Sequence, residues 1–160
     1  SDTYDMEGKI VVNKQAKSFT KEKLEEILNN FLGKQNQVAP IYSAKKVAGQ
    51  KLYKLARAGK PVKAPSKEIE IHELKINKFK YPNLNLLVSA SAGTYIRSLA
   101  HDLGQAMETG AMLSGLKRIA IGDFSVKNAL ALEEVDKTSL AKNKLAVQEV
   151  IDIINEHLAQ

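Results

Sequence analysis

Residues 93–97 read Gly-Thr-Tyr-Ile-Arg, which places a flexible glycine, a hydroxyl, a phenol and a guanidinium within one short stretch. The apolar residues Ile96, Leu99, Leu103 and Met107 follow at helical spacing, so Arg97 stands in the first turn of an expected helix. An arginine there can hold a carboxylate, bind a phosphate, or face water. Its helix neighbours three and four positions away are Gly93, Thr94, Ala100 and His101, so no local acid satisfies it. Tyr95 beside it can serve as a boundary residue of the core or as a platform for a ligand. The glycine–threonine pair could form an anion nest at a helix N-terminus. Neither GxxxxGK[ST] nor GxGxxG is present, and a nucleophile elbow GxSxG is also absent. His101 and Asp102 are adjacent, so on a helix their side chains diverge by about 100° and make no catalytic dyad.

Charge narrows the choice of partner. The net charge is +6, and no acidic residue stands between Glu26 and Glu68, while nine bases from Lys34 to Lys67 do. Such a one-sign window is expected either of a surface that meets phosphates or of a lysine-rich solubilising face. There is no cysteine, so disulfides and thiolate metal sites are excluded. The three histidines are far apart, and no metal or cofactor is expected. No apolar run approaches the roughly 18 residues a bilayer requires, and the acidic opening SDTYDMEGK lacks a signal-peptide pattern. A cytoplasmic protein without membrane contact is expected. At 160 residues, one domain can bury roughly 70% of the unfolded surface.

The elements that must position Arg97 read as α+β, with a mixed, largely antiparallel sheet and flanking helices. GKIVV (8–12) reads as a strand. The stretch 18–33 reads as a helix capped by Ser18 or Thr20, with Leu24, Ile27, Leu28 and Phe31 inward and Gly33 ending it. Residues 34–50 read as loop around Pro40, and 50–58 as a second helix closed by Gly59 and Pro61. EIEIHELKINKFK (68–80) alternates, with a shift between Ile71 and Leu74 that predicts a bulge. After the turn YPN, Leu84, Leu86, Val88 and Ala90 alternate as its antiparallel partner. Beyond the Arg97 helix, LKRIAIGDF reads as a strand, and 133–158 supply one or two closing helices. From the residues alone, the conclusion is a basic α+β domain that binds RNA or another polyanion.

Four blocks carry a more specific resemblance. SDTYDMEG (1–8), QVAPIYSAKKVAGQKLYKLARAGKPV (37–62), GTYIRSLAHDLG (93–104) and GAMLSGLKRIAIGDF (110–124) resemble, in the family's own order, signatures of the bacterial TruB-type tRNA pseudouridine synthases. The resemblance implies an isomerase that converts the T-loop uridine of tRNA to pseudouridine without cofactor or metal. It implies that Arg97 forms a salt bridge with a catalytic aspartate and that Tyr95 packs against the target base. It places Leu116 in the same pocket and Asp5 near it. Tyr42, Lys45 and Arg57 are implied to contact substrate, and Lys117 and Arg118 the RNA backbone. Residues 1–135 would be the C-terminal part of the catalytic domain and 136–160 a closing helical segment, with no separate C-terminal RNA-binding domain.

The same comparison exposes departures. The family's catalytic aspartate lies in a G-x-L-D-x-x-A-x-G motif upstream of T-D-T-x-D, and none of the six aspartates here has that context. Met112 stands where histidine is usual, Ala39 replaces the first of two prolines, and Ala90 and Ala92 flank Ser91 where Cys and Lys are frequent. The chain alone is therefore expected to be inactive, as a piece of a longer enzyme, half of a split one, or a degenerate relative. The missing N-terminal half or a self-association partner is expected to cover exposed edges. The alternative is a non-catalytic RNA-binding or RNA-folding module derived from the family.

Overall fold

In the computed structural model, residues 1–59, 61–143 and 149 are described, and the chain divides into two compact units, Ser1–Gly115 and Leu116–Gln160. In the first unit, helix α1 (Lys21–Asn29) starts where the Thr20 hydroxyl accepts a hydrogen bond from the Lys23 N–H, as its sequence predicts. It buries Leu24, Ile27 and Leu28. Gly33 does not end this helix, because the chain turns at Asn30–Leu32 and Gly33, at φ 86°, opens strand β1 (Gly33–Val38). The expected loop at 34–38 is thus a strand. Its sequence, GKQNQV, is polar because it forms a sheet edge with only Gln37 fully buried.

A two-residue hairpin follows, β2 (Lys46–Val47) with β3 (Gln50–Lys51), and leads into helix α2 (Leu52–Arg57). Strand β4 (Ser66–Lys80) is the backbone of the sheet. Its first residues pair antiparallel with β1, from Ser66↔Val38 to Ile71↔Gly33. Its remainder pairs antiparallel with β5 (Asn83–Ala90), with register shifts between Ile71 and Glu73 and between Ile76 and Lys78. The sheet order is therefore β1-β4-β5, and the shift expected after Ile71 is present. The β4–β5 connection carries a cis Tyr81–Pro82 bond.

Helix α3 (Ile96–Ala106) lays Leu99 and Leu103 against Leu24, Ile27 and Leu28 of α1 and Ile69 and Ile71 of β4. Each such aliphatic side chain contributes about 1.5–3 kcal/mol on full burial, which fixes α3 across the sheet. Gly104 is needed at the end of this helix: a Cβ there would run into the backbone of Gly110–Ala111. The expected strand at 8–12 does not form. Val11 and Val12 are 77% and 75% exposed, and no described strand pairs with them, so β propensity alone produces only extended chain. Every ladder among the described residues is antiparallel; the parallel element is an isolated bridge between Asp5 and Leu113.

In the second unit, the single strand expected at 116–124 is instead a tight hairpin, β6 (Ala120–Ile121) with β7 (Phe124–Ser125). Gly122, at φ 52°, makes the turn that splits it. Short 3₁₀ turns at Val126–Asn128 and Leu132–Glu134 precede helix α4 (Lys137–Asn143), the start of the expected closing helices. The rest of that expectation, and Lys60 of the basic window, lie outside the described residues. No helix among the described residues is long and apolar enough to cross a membrane.

Candidate active site around Arg97

The N-terminal turn, the loop after β1 and the start of α3 meet at one guanidinium. Arg97, the second residue of α3, donates from one terminal nitrogen to Asp5 Oδ2 at 2.9 Å and to the Thr3 carbonyl at 3.2 Å. Its other terminal nitrogen donates to the Tyr42 carbonyl at 3.0 Å. The side chains of Arg97 and Asp5 are 27% and 21% exposed, so the pair is largely removed from water. Three segments far apart in sequence are clasped by one side chain, and Asp5 supplies the carboxylate that the helix itself lacks.

Local structure explains how Asp5 reaches that position. Tyr4 adopts φ 65°, a left-handed conformation costly for a tyrosine, and its carbonyl accepts the Leu113 N–H. Its ring stacks on His101 of α3, with centroids 3.9 Å apart and planes 10° from parallel. The turn is thereby docked on α3, one helical turn beyond Arg97. The Thr3 hydroxyl, above all, holds the Asp5 carboxyl below the usual carboxylate range; the Glu7 N–H and Arg97 add to this, against an opposing effect of burial. Asp5 is consequently ionised and acts as an acceptor. Asp102, on the other side of His101, differs: burial raises its carboxyl, with His101 opposing. Burial, and secondarily Asp102, raises the Tyr4 phenol.

Tyr95 immediately precedes α3 and is fixed through its backbone. The Gln37 side chain accepts the Tyr95 N–H at 2.7 Å and donates to the Tyr95 carbonyl at 3.1 Å, as a strand neighbour would. The Ser98 hydroxyl adds a 2.7 Å bond to the Val38 carbonyl, so the edge strand β1 is stitched to the start of α3. Tyr95 also lines a cleft of about 170 Å³ together with Gln37, Lys45, Lys67 and Gly93.

The sequence-predicted residues are distributed as follows. Arg97, Asp5 and Tyr42 are in direct contact, although Tyr42 contributes its carbonyl to the clasp. Tyr95 and Lys45 share the cleft. Arg57, at the end of α2, lies over the Tyr53 ring at 5.7 Å and has no contact with the Arg97 clasp. Leu116, Lys117 and Arg118 belong to the second unit and are exposed, Leu116 by 65%. Sequence reading missed Gln37 and Thr3. Each lies in one of the four recognised blocks, Gln37 opening 37–62 and Thr3 within 1–8, which was the only signal for either; Thr3 acts through its carbonyl and hydroxyl. Among the described residues, no cluster of three or more His, Asp or Glu is placed to hold a metal ion.

Comparison with known proteins bears on the family of the chain. Residues 1–96 match the TruB family pseudouridylate synthase (N terminal domain), and residues 97–158 match the tRNA pseudouridylate synthase B C-terminal domain. A tRNA pseudouridine synthase B of Caldanaerobacter subterraneus subsp. tengcongensis is 43% identical over 136 residues, covering 84% of this chain and 48% of that protein. One from Thermosipho melanesiensis is 37% identical over 153 residues, covering 96% of this chain and 50% of that protein. The crystal structure of a Cbf5-Nop10-Gar1 complex contains a chain of similar fold, with a TM-score of 0.61 and 23% identity over 79% of this chain and 34% of that one. The chain thus spans about half the length of the curated relatives it matches. It belongs to the TruB family of pseudouridine synthases.

Proposed function

We propose that this chain is part of a tRNA pseudouridine synthase that isomerises the T-loop uridine in the cytoplasm, and that Arg97, Asp5 and Tyr95 form its share of the active site. The observation that carries this reading is the clasp of Arg97 on Asp5, Thr3 and Tyr42, built from three of the family's blocks. In the reaction the C1′–N1 glycosidic bond breaks, the uracil turns, and a C1′–C5 bond forms; the C5 proton is then lost and N1 is protonated. The base must leave the stack to be reached, and Tyr95 is suited to receive its face. The three hydrogen bonds use three of the five N–H donors of Arg97. The others remain for a carboxylate nucleophile supplied from outside the described residues, which a guanidinium keeps ionised. Tyr42, Lys45 and Arg57 would contact the substrate RNA, as would Leu116, Lys117 and Arg118 of the second unit. Residues 1–135 form the catalytic part in this reading, and most of 136–160 lies outside the described residues.

One observation favours the second reading, a non-catalytic RNA-binding module. Asp5 already neutralises Arg97, so the arginine's presence does not require another acid. The two readings separate in one assay: pseudouridine formation on a synthetic T-arm hairpin, with this chain alone and with the N-terminal half of a relative added. Product only with the added half supports a fragment of an enzyme, and Arg97→Ala is then expected to abolish it. Product from the chain alone makes Asp5 the carboxylate to replace. No product in either case, with salt-sensitive RNA binding, establishes the binding module.

A further inference from the structure

The cleft beside Tyr95 has charged walls of one sign. Its charged lining residues, among the described ones, are Lys45 and Lys67, and its floor includes the buried apolar residues Ala39 and Ile69. The Lys67 ammonium donates to the Ala92 carbonyl at 2.8 Å, which fixes its position over the loop that carries Gly93. It stands 2.7 Å from where a Cβ of residue 93 would be, so a side chain there would push the end of this lysine aside. Gly93 also adopts φ 85°, which disfavours any side chain there. One of three ammonium donors is used on Ala92, leaving two that can point into the cleft. No acid stands in the first turn of α3, directly after the loop.

We propose that this cleft is a subsite for a backbone phosphate of the RNA, held between the ammonium groups of Lys67 and Lys45 beside Tyr95. The proposal rests on the reading of the chain as part of an RNA-modifying enzyme and names where the strand next to the target nucleotide is gripped. A low-dielectric floor strengthens the attraction of both lysines for an oxyanion. Two point charges suit a phosphate without demanding a base, so the contact positions the RNA and carries no sequence information. The shared wall at Tyr95 places this grip next to the residue that receives the base.

The test is the salt dependence of binding to a T-arm hairpin and to a scrambled hairpin, for the wild type, Lys67→Ala, Lys45→Ala, the double variant and Gly93→Ala. Lys78→Ala, exposed on the far half of β4, controls for loss of any one charge. Each cleft lysine variant is expected to flatten the slope of log K against log salt, by at most about 0.7–0.9, the value of one phosphate contact. The double variant is expected to lose no more than that, because both lysines serve one phosphate. Gly93→Ala should behave as Lys67→Ala, and Lys67→Arg should keep the wild-type slope. A Lys67→Ala slope equal to that of Lys78→Ala, or a double variant losing twice the single value, overturns the subsite while wild-type preference for the T-arm leaves the functional reading standing. Equal wild-type binding to both hairpins with the slopes still flattened overturns T-arm recognition and leaves a general RNA phosphate site. A wild type whose RNA binding is independent of salt overturns both.

Discussion

Replacing Arg97 by methionine keeps an unbranched stem of similar reach and removes all three of its clasping hydrogen bonds. Its ion pair with Asp5 is 27% and 21% exposed, which places it between a surface pair, worth about 0–1 kcal/mol, and a buried one, whose disruption costs about 3–5 kcal/mol. The Thr3 and Tyr42 carbonyls each lose a charged donor but regain partial hydration, at about 0.5–1 kcal/mol apiece. Together these give roughly 2–4 kcal/mol. With an m-value of about 2 kcal/mol/M, the urea midpoint at pH 7 should fall by about 1–2 M. A double-mutant cycle with Asp5→Asn isolates the pair, and a coupling of about 1–2 kcal/mol is expected. A loss below about 0.5 kcal/mol for Arg97→Met, or additivity of the two substitutions within about 0.5 kcal/mol, would refute the clasp as an energetic unit.

Gln37→Leu should leave the Tyr95 N–H and carbonyl without their buried partner, destabilise the chain by about 2–3 kcal/mol, and speed hydrogen exchange at the Tyr95 amide, read by NMR. Unchanged exchange there would contradict the assigned bonds. Asp102 is protonated in both states below its ordinary value of 3.8, and the penalty of ionising it in the fold develops as pH rises through its raised folded pKa. Asp102→Asn should therefore raise Tm relative to wild type more at pH 7 than at pH 3.5, and equal differences at the two pH values would contradict the burial argument. Gly104→Ala should cost several kcal/mol despite the roughly 1 kcal/mol gain in helix propensity, because its Cβ meets the Gly110–Ala111 backbone. A neutral or stabilising effect in thermal unfolding would show that this backbone yields.

The elements legible in sequence were those whose periodicity comes from facing a core. Leu24, Ile27 and Leu28 announced α1, Leu99 and Leu103 announced α3, and the alternation of Ile69, Ile71, Leu74 and Ile76 with its phase shift announced β4 and its bulge. Strand β1 was invisible because a polar edge strand has no apolar alternation to display. Ile10–Val12 misled in the opposite sense: its residues suit a sheet, but pairing is decided by a neighbour that no local pattern reports. The Gly122–Asp123 pair carried a turn signal that outweighs the flanking β-branched residues, and it divides the expected strand into β6 and β7. Within the site, residue types pointed to Arg97 and Tyr95. Its pairing with Asp5 spans 92 residues, and its bond to Tyr42 involves only backbone, so neither could be read locally.

That long span also governs when the site comes into being. The contacts of Arg97 with Thr3, Asp5 and Tyr42 close loops of 94, 92 and 55 residues, whereas β4 and β5 pair across an adjacent turn. Loop-closure entropy must be met before such distant contacts return any energy, so the hairpin condenses early and the clasp closes last. Substitutions at Arg97 then lie late on the folding route and chiefly accelerate unfolding while the refolding rate stays near its original value. Partly folded chains with an intact hairpin would carry every residue of the clasp and yet have no clasp.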